Sequence, residues 1–109
     1  MKINGDRMLS DMKALREITD TPRSGVTRFS YSQKDQEARA YITRAAESAG
    51  FTVRTDAIGN MFIRFAEAAL QAGEGTSAAV KNVYSETKRI VVGSHIDTVR
   101  NGGWLDGVY

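Results

Sequence analysis

The residues best suited to chemistry lie between Arg89 and Tyr109, in RIVVGSHIDTVRNGGWLDGVY, which holds the single histidine of the 109-residue chain. His95 and Asp97 stand two apart, and in extended chain such residues point to the same side. Asp106 follows after an Asn101-Gly102-Gly103 segment with the composition of a tight turn. Imidazole nitrogen and carboxylate oxygen are standard ligands for zinc and similar divalent ions. His95 would ligate directly. Asp106 would swing back on its loop to the same ion or bridge two ions. Asp97 would fix a ligand's orientation and tautomer. The residues alone favour a plainer reading, an exposed loop with a hydrogen-bonded histidine, because one histidine cannot fill a zinc site unaided.

The elements that would carry this segment are legible in outline. Ile90-Val91-Val92 is short, β-branched and apolar, as expected of a strand buried on both faces, ending at Gly93-Ser94. Ligands of open α/β sheets bind at that C-terminal end. Residues from about Gly5 to Thr19 read as an amphipathic helix with Met8, Leu9, Met12, Leu15 and Ile18 on its packed stripe. Thr19 to Ser30, with the only proline at Pro22, reads as a connection. Ser32 to Gly50 is the strongest helix: Ser32 as N-cap, Asp35 three residues on, and Gly50 at the left-handed C-cap. Its apolar face comprises Ala38, Tyr41, Ile42, Ala45, Ala46 and Ala49. Phe51 to Asp56 and Asn60 to Phe65 alternate about Ile58-Gly59-Asn60, which predicts a β-hairpin. Ala66 to Lys88, rich in Ala, Gly, Ser and Thr, reads as a surface insertion without chemistry.

GSHIDTVRNGGWLDGVY resembles the metal-site segment of the amidase, hydantoinase and carbamoylase family, whose members include allantoate amidohydrolases and N-carbamoyl-L-amino-acid hydrolases. It is carried here by Gly93, Ser94, His95, Asp97, Thr98, Val99, Asn101, Gly102, Gly103, Asp106 and Gly107. Ser24-Gly25-Val26-Thr27-Arg28 resembles the family's Gly-x-Thr-Arg signature, and Asp56, Ala57, Gly59 and Asn60 also match. Arg28 would hold a substrate carboxylate or, more in keeping with its place, anchor its loop.

The resemblance implies an α/β fold, the opening portion of an aminopeptidase-like α/β/α sandwich, with residues 1–109 as part of its catalytic domain and the lid and dimerisation domain absent. It implies two divalent metal ions per full-length subunit, zinc or manganese first, with cobalt or nickel admissible. His95 would be a metal ligand, Asp106 the bridging metal ligand and Asp97 the catalytic residue orienting His95. The Asp106–Gly107 peptide would be cis. The reaction implied is hydrolysis of a linear amide C–N bond in a small ureido or carbamoyl compound by metal-activated water, with a glutamate as general base. That glutamate pair and the remaining histidine ligands have no counterpart in these 109 residues; Glu74 and Glu86 sit in no matching motif. The chain alone is therefore expected to be inactive, the full-length protein a homodimer, and the strand at Arg89–Ser94 an unpaired edge. The alternative is a non-catalytic truncated product or interaction module that kept the fold's opening.

Composition supports an ordinary globular protein and little else. Net charge is +2, without a Lys/Arg block or aromatic-basic interleaving, which argues against nucleic acid as partner. With no cysteine, neither a disulfide framework nor a thiolate metal site is available. The N-terminal MKINGDRMLSDMKALRE lacks the apolar core of a signal peptide, and no stretch is long enough to span a bilayer. A cytoplasmic protein with no membrane partner is the expectation.

Overall fold

The computed structural model describes residues 4–65 and 91–104. The chain divides into two compact units, one formed by Met1–Thr43 and Gly93–Tyr109, the other by Arg44–Val92. The described elements are α1 (Gly5–Glu17), α2 (Gln33–Ser48), β1 (Phe51–Thr55) and β2 (Met61–Phe65).

Helix α1 starts where Asn4 places its side-chain oxygen 3.0 Å from the Arg7 N–H, satisfying one of the orphan donors of the first turn. Asp6 near the start and Arg16 in the last turn complement the helix dipole. The helix stops at Glu17, short of the expected Thr19, because Thr19 turns its hydroxyl to other backbone groups. That oxygen accepts from the N–H of Thr21 (3.1 Å) and of Thr27 (2.8 Å). A threonine so engaged competes with helix continuation. The stripe is only partly packed: Met12, Leu15 and Ile18 are half-buried, while Met8 and Leu9 are exposed.

Helix α2 follows its sequence signals closely. The Ser32 hydroxyl accepts from the Asp35 N–H at 3.2 Å, and Gly50 takes the left-handed conformation with φ +83°. Asp35, 1% exposed, reaches back to the N–H of Tyr31, one residue before the cap, at 2.9 Å. Its other neighbour is Arg39, one helical turn on, at 2.9 Å. Ala38 and Ala46 are buried, but Ala45 and Ala49 are exposed, so the packed stripe is narrower than the run of alanines implied.

Strands β1 and β2 form the expected antiparallel hairpin, in register Phe51↔Phe65, Val53↔Ile63 and Thr55↔Met61. Asp56 builds the turn. Its Oδ1 accepts from the N–H groups of Ile58 (3.1 Å) and Asn60 (2.8 Å), and its Oδ2 from the Asn60 amide (2.9 Å). Gly59 supplies φ +91°. On the outer face the Arg54 guanidinium lies 5.6 Å from the centre of the Phe62 ring, its cross-strand partner.

The strand expected at Ile90–Val92 is not formed where it is described. Val91 and Val92 are 88% and 91% exposed and belong to no strand; Arg89 and Ile90 lie outside the described residues. A strand needs a neighbour for its N–H and C=O groups. Among the described residues β1 and β2 pair only with each other. The expected insertion at Ala66–Lys88 and the expected cis peptide at Asp106–Gly107 likewise lie outside the described residues.

Candidate functional site

Residues 26–28, in the segment expected to be a connection with Arg28 as its anchor, pair with the segment that carries His95. Val26 forms an antiparallel bridge with Gly102, N–H to carbonyl at 3.0 Å one way and 2.9 Å the other. The Thr98 N–H donates to the Arg28 carbonyl at 2.9 Å. The Thr98 hydroxyl accepts from the Arg28 N–H (2.9 Å) and donates to the Val26 carbonyl (2.9 Å). The Asn101 N–H donates to the Thr27 hydroxyl at 2.8 Å. Val26, Thr27, Arg28 and Thr98 are all buried. In this way Gly-Val-Thr-Arg and His-x-Asp-Thr lie side by side, with backbone groups satisfied by threonine hydroxyls where no regular ladder runs.

Arg28 is an anchor. Its Nε donates to the Ile96 carbonyl at 2.7 Å, and its Nη1 to the carbonyls of Leu15 and Ile18, each at 2.8 Å. The last two are carbonyls at the end of α1, where Leu15 also accepts from the Ile18 N–H at 3.2 Å, so one guanidinium ties that helix end to the segment carrying His95. Burial pushes its pKa down, against the opposing charges of Asp35 and Asp97.

His95 and Asp97 meet, as their spacing implied. His95 Nδ1 lies 2.9 Å from the Asp97 backbone carbonyl and 3.2 Å from Asp97 Oδ1. A carbonyl oxygen can only accept, so Nδ1 carries the proton, and in the neutral ring Nε2 is left with its lone pair. Asp97 is itself held: the Ser30 hydroxyl donates to Oδ2 at 2.8 Å. That bond first, then Asp97's own backbone N–H and the neighbouring His95, keeps the Asp97 carboxyl below the usual carboxylate range against desolvation. Beside His95 is a small cavity of about 60 Å³, bordered by Met12, Leu15, Val26, Ile96 and Trp104. The Arg16 guanidinium lies 5.7 Å from the ring centre of Trp104, which is 40% exposed and forms part of the cavity wall.

Of the expected ligands, the described residues include one, His95, whose Nε2 could hold a divalent cation. An imidazole whose Nδ1–H is fixed by a carboxylate and a carbonyl presents Nε2 in the tautomer a metal requires. Among the described residues, no group of three or more histidine, cysteine or acidic side chains converges. Asp106, the second expected ligand, lies outside the described residues. Ser30 escaped the sequence reading: 67 positions separate it from Asp97, and nothing local to it announces the contact.

Comparison with known proteins bears out the resemblance. The chain is 35% identical over 106 residues to an N-carbamoyl-L-amino-acid amidohydrolase of Pseudomonas sp. (strain NS671), an alignment covering 97% of this chain and 22% of that protein. It is 38% identical over 85 residues to the allantoate amidohydrolase of Bacillus subtilis (strain 168), covering 78% and 17%. To a ureidoglycolate hydrolase of Oryza sativa subsp. japonica it is 33% identical over 106 residues, covering 97% and 19%. No protein-family model matches the chain, and no solved structure matches it significantly. The chain belongs to the amidohydrolase family of these allantoate and N-carbamoyl-amino-acid enzymes. It spans about a fifth of the length of the curated relatives it matches.

Proposed function

We propose that this chain forms part of the catalytic domain, an aminopeptidase-like α/β/α sandwich, of a metal-dependent hydrolase. The enzyme would cleave linear amide C–N bonds in small ureido or carbamoyl compounds such as allantoate or N-carbamoyl-L-amino acids. The observation that supports the metal reading is the fixed Nδ1–H of His95, which leaves Nε2 as a ligand. The substrate class rests on the names of the relatives.

In this reading His95 would hold a cation, Asp106 would be a further ligand, and Asp97 would keep the imidazole in the ligating tautomer. A divalent cation bound there supplies the Lewis acidity that activates water for attack on the carbamoyl carbon. Arg28 and Thr98 keep the segment from shifting as the ligands are drawn together. Two ligands are fewer than a catalytic zinc uses, so the 109-residue chain by itself is expected to hydrolyse neither allantoate nor N-carbamoyl amino acids.

Calorimetric titration with zinc and manganese tests this reading. Binding lost in both His95→Ala and Asp106→Ala supports it. Binding that survives His95→Ala would place the metal elsewhere and refute the assignment, as would hydrolysis of either substrate class in excess chelator.

A further inference from the structure

Ser30 lies on the turn that leads into α2. The residue after it, Tyr31, takes φ +65°, a left-handed conformation that a bulky side chain rarely adopts. The turn is pinned from below: Asp35, buried at the start of α2, accepts the Tyr31 N–H through Oδ2 at 2.9 Å. The same oxygen accepts from Arg39 Nε at 2.9 Å. A second restraint is the Ser32 N–H, which donates to the Phe29 carbonyl at 3.0 Å. Held on both sides, the turn presents the Ser30 hydroxyl to Asp97 Oδ2 at 2.8 Å, while Asp97 Oδ1 faces His95 Nδ1 at 3.2 Å.

The carboxylate needs such a restraint. An aspartate's χ2 torsion has broad minima, and the Asp97 side chain is 43% exposed. Nothing intrinsic keeps Oδ1 turned toward the imidazole. A hydroxyl on the opposite oxygen removes that freedom, because swinging Oδ1 away from His95 also breaks the Ser30 bond. A serine hydroxyl is suited to this, since it donates one proton along one direction and adds no competing charge.

We propose that Ser30 is a positioning residue for His95, acting through Asp97: its hydroxyl fixes the carboxylate that fixes the ring. The inference deepens the metal-site reading above and rests on it for its functional meaning. Ser30 touches neither metal nor substrate in this scheme. The strained Tyr31 turn and the buried Asp35 are the means by which α2 delivers that hydroxyl across 67 positions of sequence.

The test uses the fact that His95 is the only histidine of the chain. Long-range proton–nitrogen spectra of the nitrogen-15-labelled protein, recorded in buffer alkaline enough to keep the ring neutral, report its tautomer ratio without ambiguity. Wild type is expected to be mainly in the Nδ1–H form. Ser30→Ala is expected to raise the Nε2–H fraction about threefold, the size expected for loss of one modest hydrogen bond. Ser30→Thr, which keeps the hydroxyl, should restore the wild-type ratio. Ser30→Val, close to threonine in shape but without the hydroxyl, should behave as the alanine variant. This pair keeps the comparison valid even if alanine disturbs the turn. Asp97→Ala should shift the ratio at least as far as Ser30→Ala. An unchanged ratio in both Ser30→Ala and Ser30→Val overturns the proposal, as does a threonine variant that fails to rescue. Zinc added to the same samples separates the two readings. If the tautomer effect is seen but zinc leaves the Nε2 resonance unmoved, the metal reading fails and the positioning role stands. If zinc moves Nε2 equally in all variants and the tautomer ratio never changes, the reverse holds.

Discussion

Nη1 of Arg28 lies 2.8 Å from the carbonyl oxygen of Ile18, the C-cap of α1. The contact makes the signature arginine a helix cap. The same side chain reaches the Ile96 carbonyl next to His95, so the end of α1 and the histidine segment share one support.

Replacing Arg28 by Met should therefore cost stability before it costs chemistry. Three backbone carbonyls lose a charged donor, and Arg28 is only 6% exposed. A loss of about 3 kcal/mol is expected. Lysine should recover only part of it, because one ammonium cannot reproduce donation from Nε and Nη1 in separate directions. Urea unfolding followed by circular dichroism gives both values. A methionine variant as stable as wild type would show that the carbonyls find other partners.

Gly25 allows this segment to approach the turn at Asn101. Its φ is +105°, and a methyl group there would lie 2.8 Å from the Gly102 carbonyl oxygen and 2.9 Å from the Asn101 carbonyl carbon and oxygen. Gly25→Ala should cost about 1–3 kcal/mol, combining left-handed strain with a backbone clash that no side-chain rotation relieves. The Val26–Gly102 bridge should open with it, seen as faster amide exchange at Val26 and Gly102. Slow exchange at both amides in the variant would contradict the expected clash.

What the sequence made legible was local. Helix α2 was readable because Ser32, Asp35 and Gly50 each act within a turn of their own position, and the hairpin because alternation and an Asp-x-x-Gly-Asn turn are short-range signals. Connections across the chain were not readable. Nothing near Ser30 or Arg28 shows that each meets a residue 67 or 68 positions away. Val91 and Val92 failed in the opposite sense: their composition is that of a buried strand, but composition supplies no neighbour to pair with. The His95–Asp97 contact lies between these cases. Its spacing was a fair sign, while its partner tautomer depends on a backbone carbonyl that no pattern reveals.

The hairpin turn should be sensitive to acid. Asp56 is held below the usual carboxylate range by the Asn60 side-chain amide first, against desolvation, with the N–H groups of Asn60, Ile58 and Gly59 adding to it. A depressed folded-state pKa means stabilisation that is fully present above the unfolded value of ~3.9. It is lost as pH falls through the folded pKa. Amide shifts of Ile58 and Asn60 should accordingly move together below that unfolded value. In Asp56→Ala the turn should be loose at every pH and show no such step; a step of equal size there would assign the transition to another group.

The alkaline side is set in part by Tyr41, whose hydroxyl donates to Asp11 Oδ1 at 2.8 Å. That bond, more than desolvation or the Asp11 charge, raises the phenol's pKa. Because the raised value belongs to the folded state, the associated stability is present below the unfolded value of ~10 and disappears as pH rises through the folded one. Tyrosinate absorbance should show the Tyr41 phenol titrating above the ordinary tyrosine value. Asp11→Asn should move that phenol back toward the ordinary value, and Tyr41→Phe should remove its late component. A late component that persists in Tyr41→Phe would point to a different tyrosine.

Asp97 and His95 should differ in how they affect metal binding. His95 supplies the ligand atom, so His95→Ala should abolish the affinity that depends on it. Asp97 supplies orientation, so Asp97→Ala should weaken zinc by about 10- to 100-fold without eliminating it. The Asp97 backbone carbonyl remains 2.9 Å from Nδ1 and still favours the ligating tautomer. Asp97→Asn should fall between wild type and Asp97→Ala, because an amide oxygen still accepts from Nδ1–H but brings no charge. Competition titrations against a chelator of known strength would resolve the series. Complete loss of binding in Asp97→Ala would mean that the carboxylate itself is a ligand, and the division of labour between the two residues would have to be redrawn.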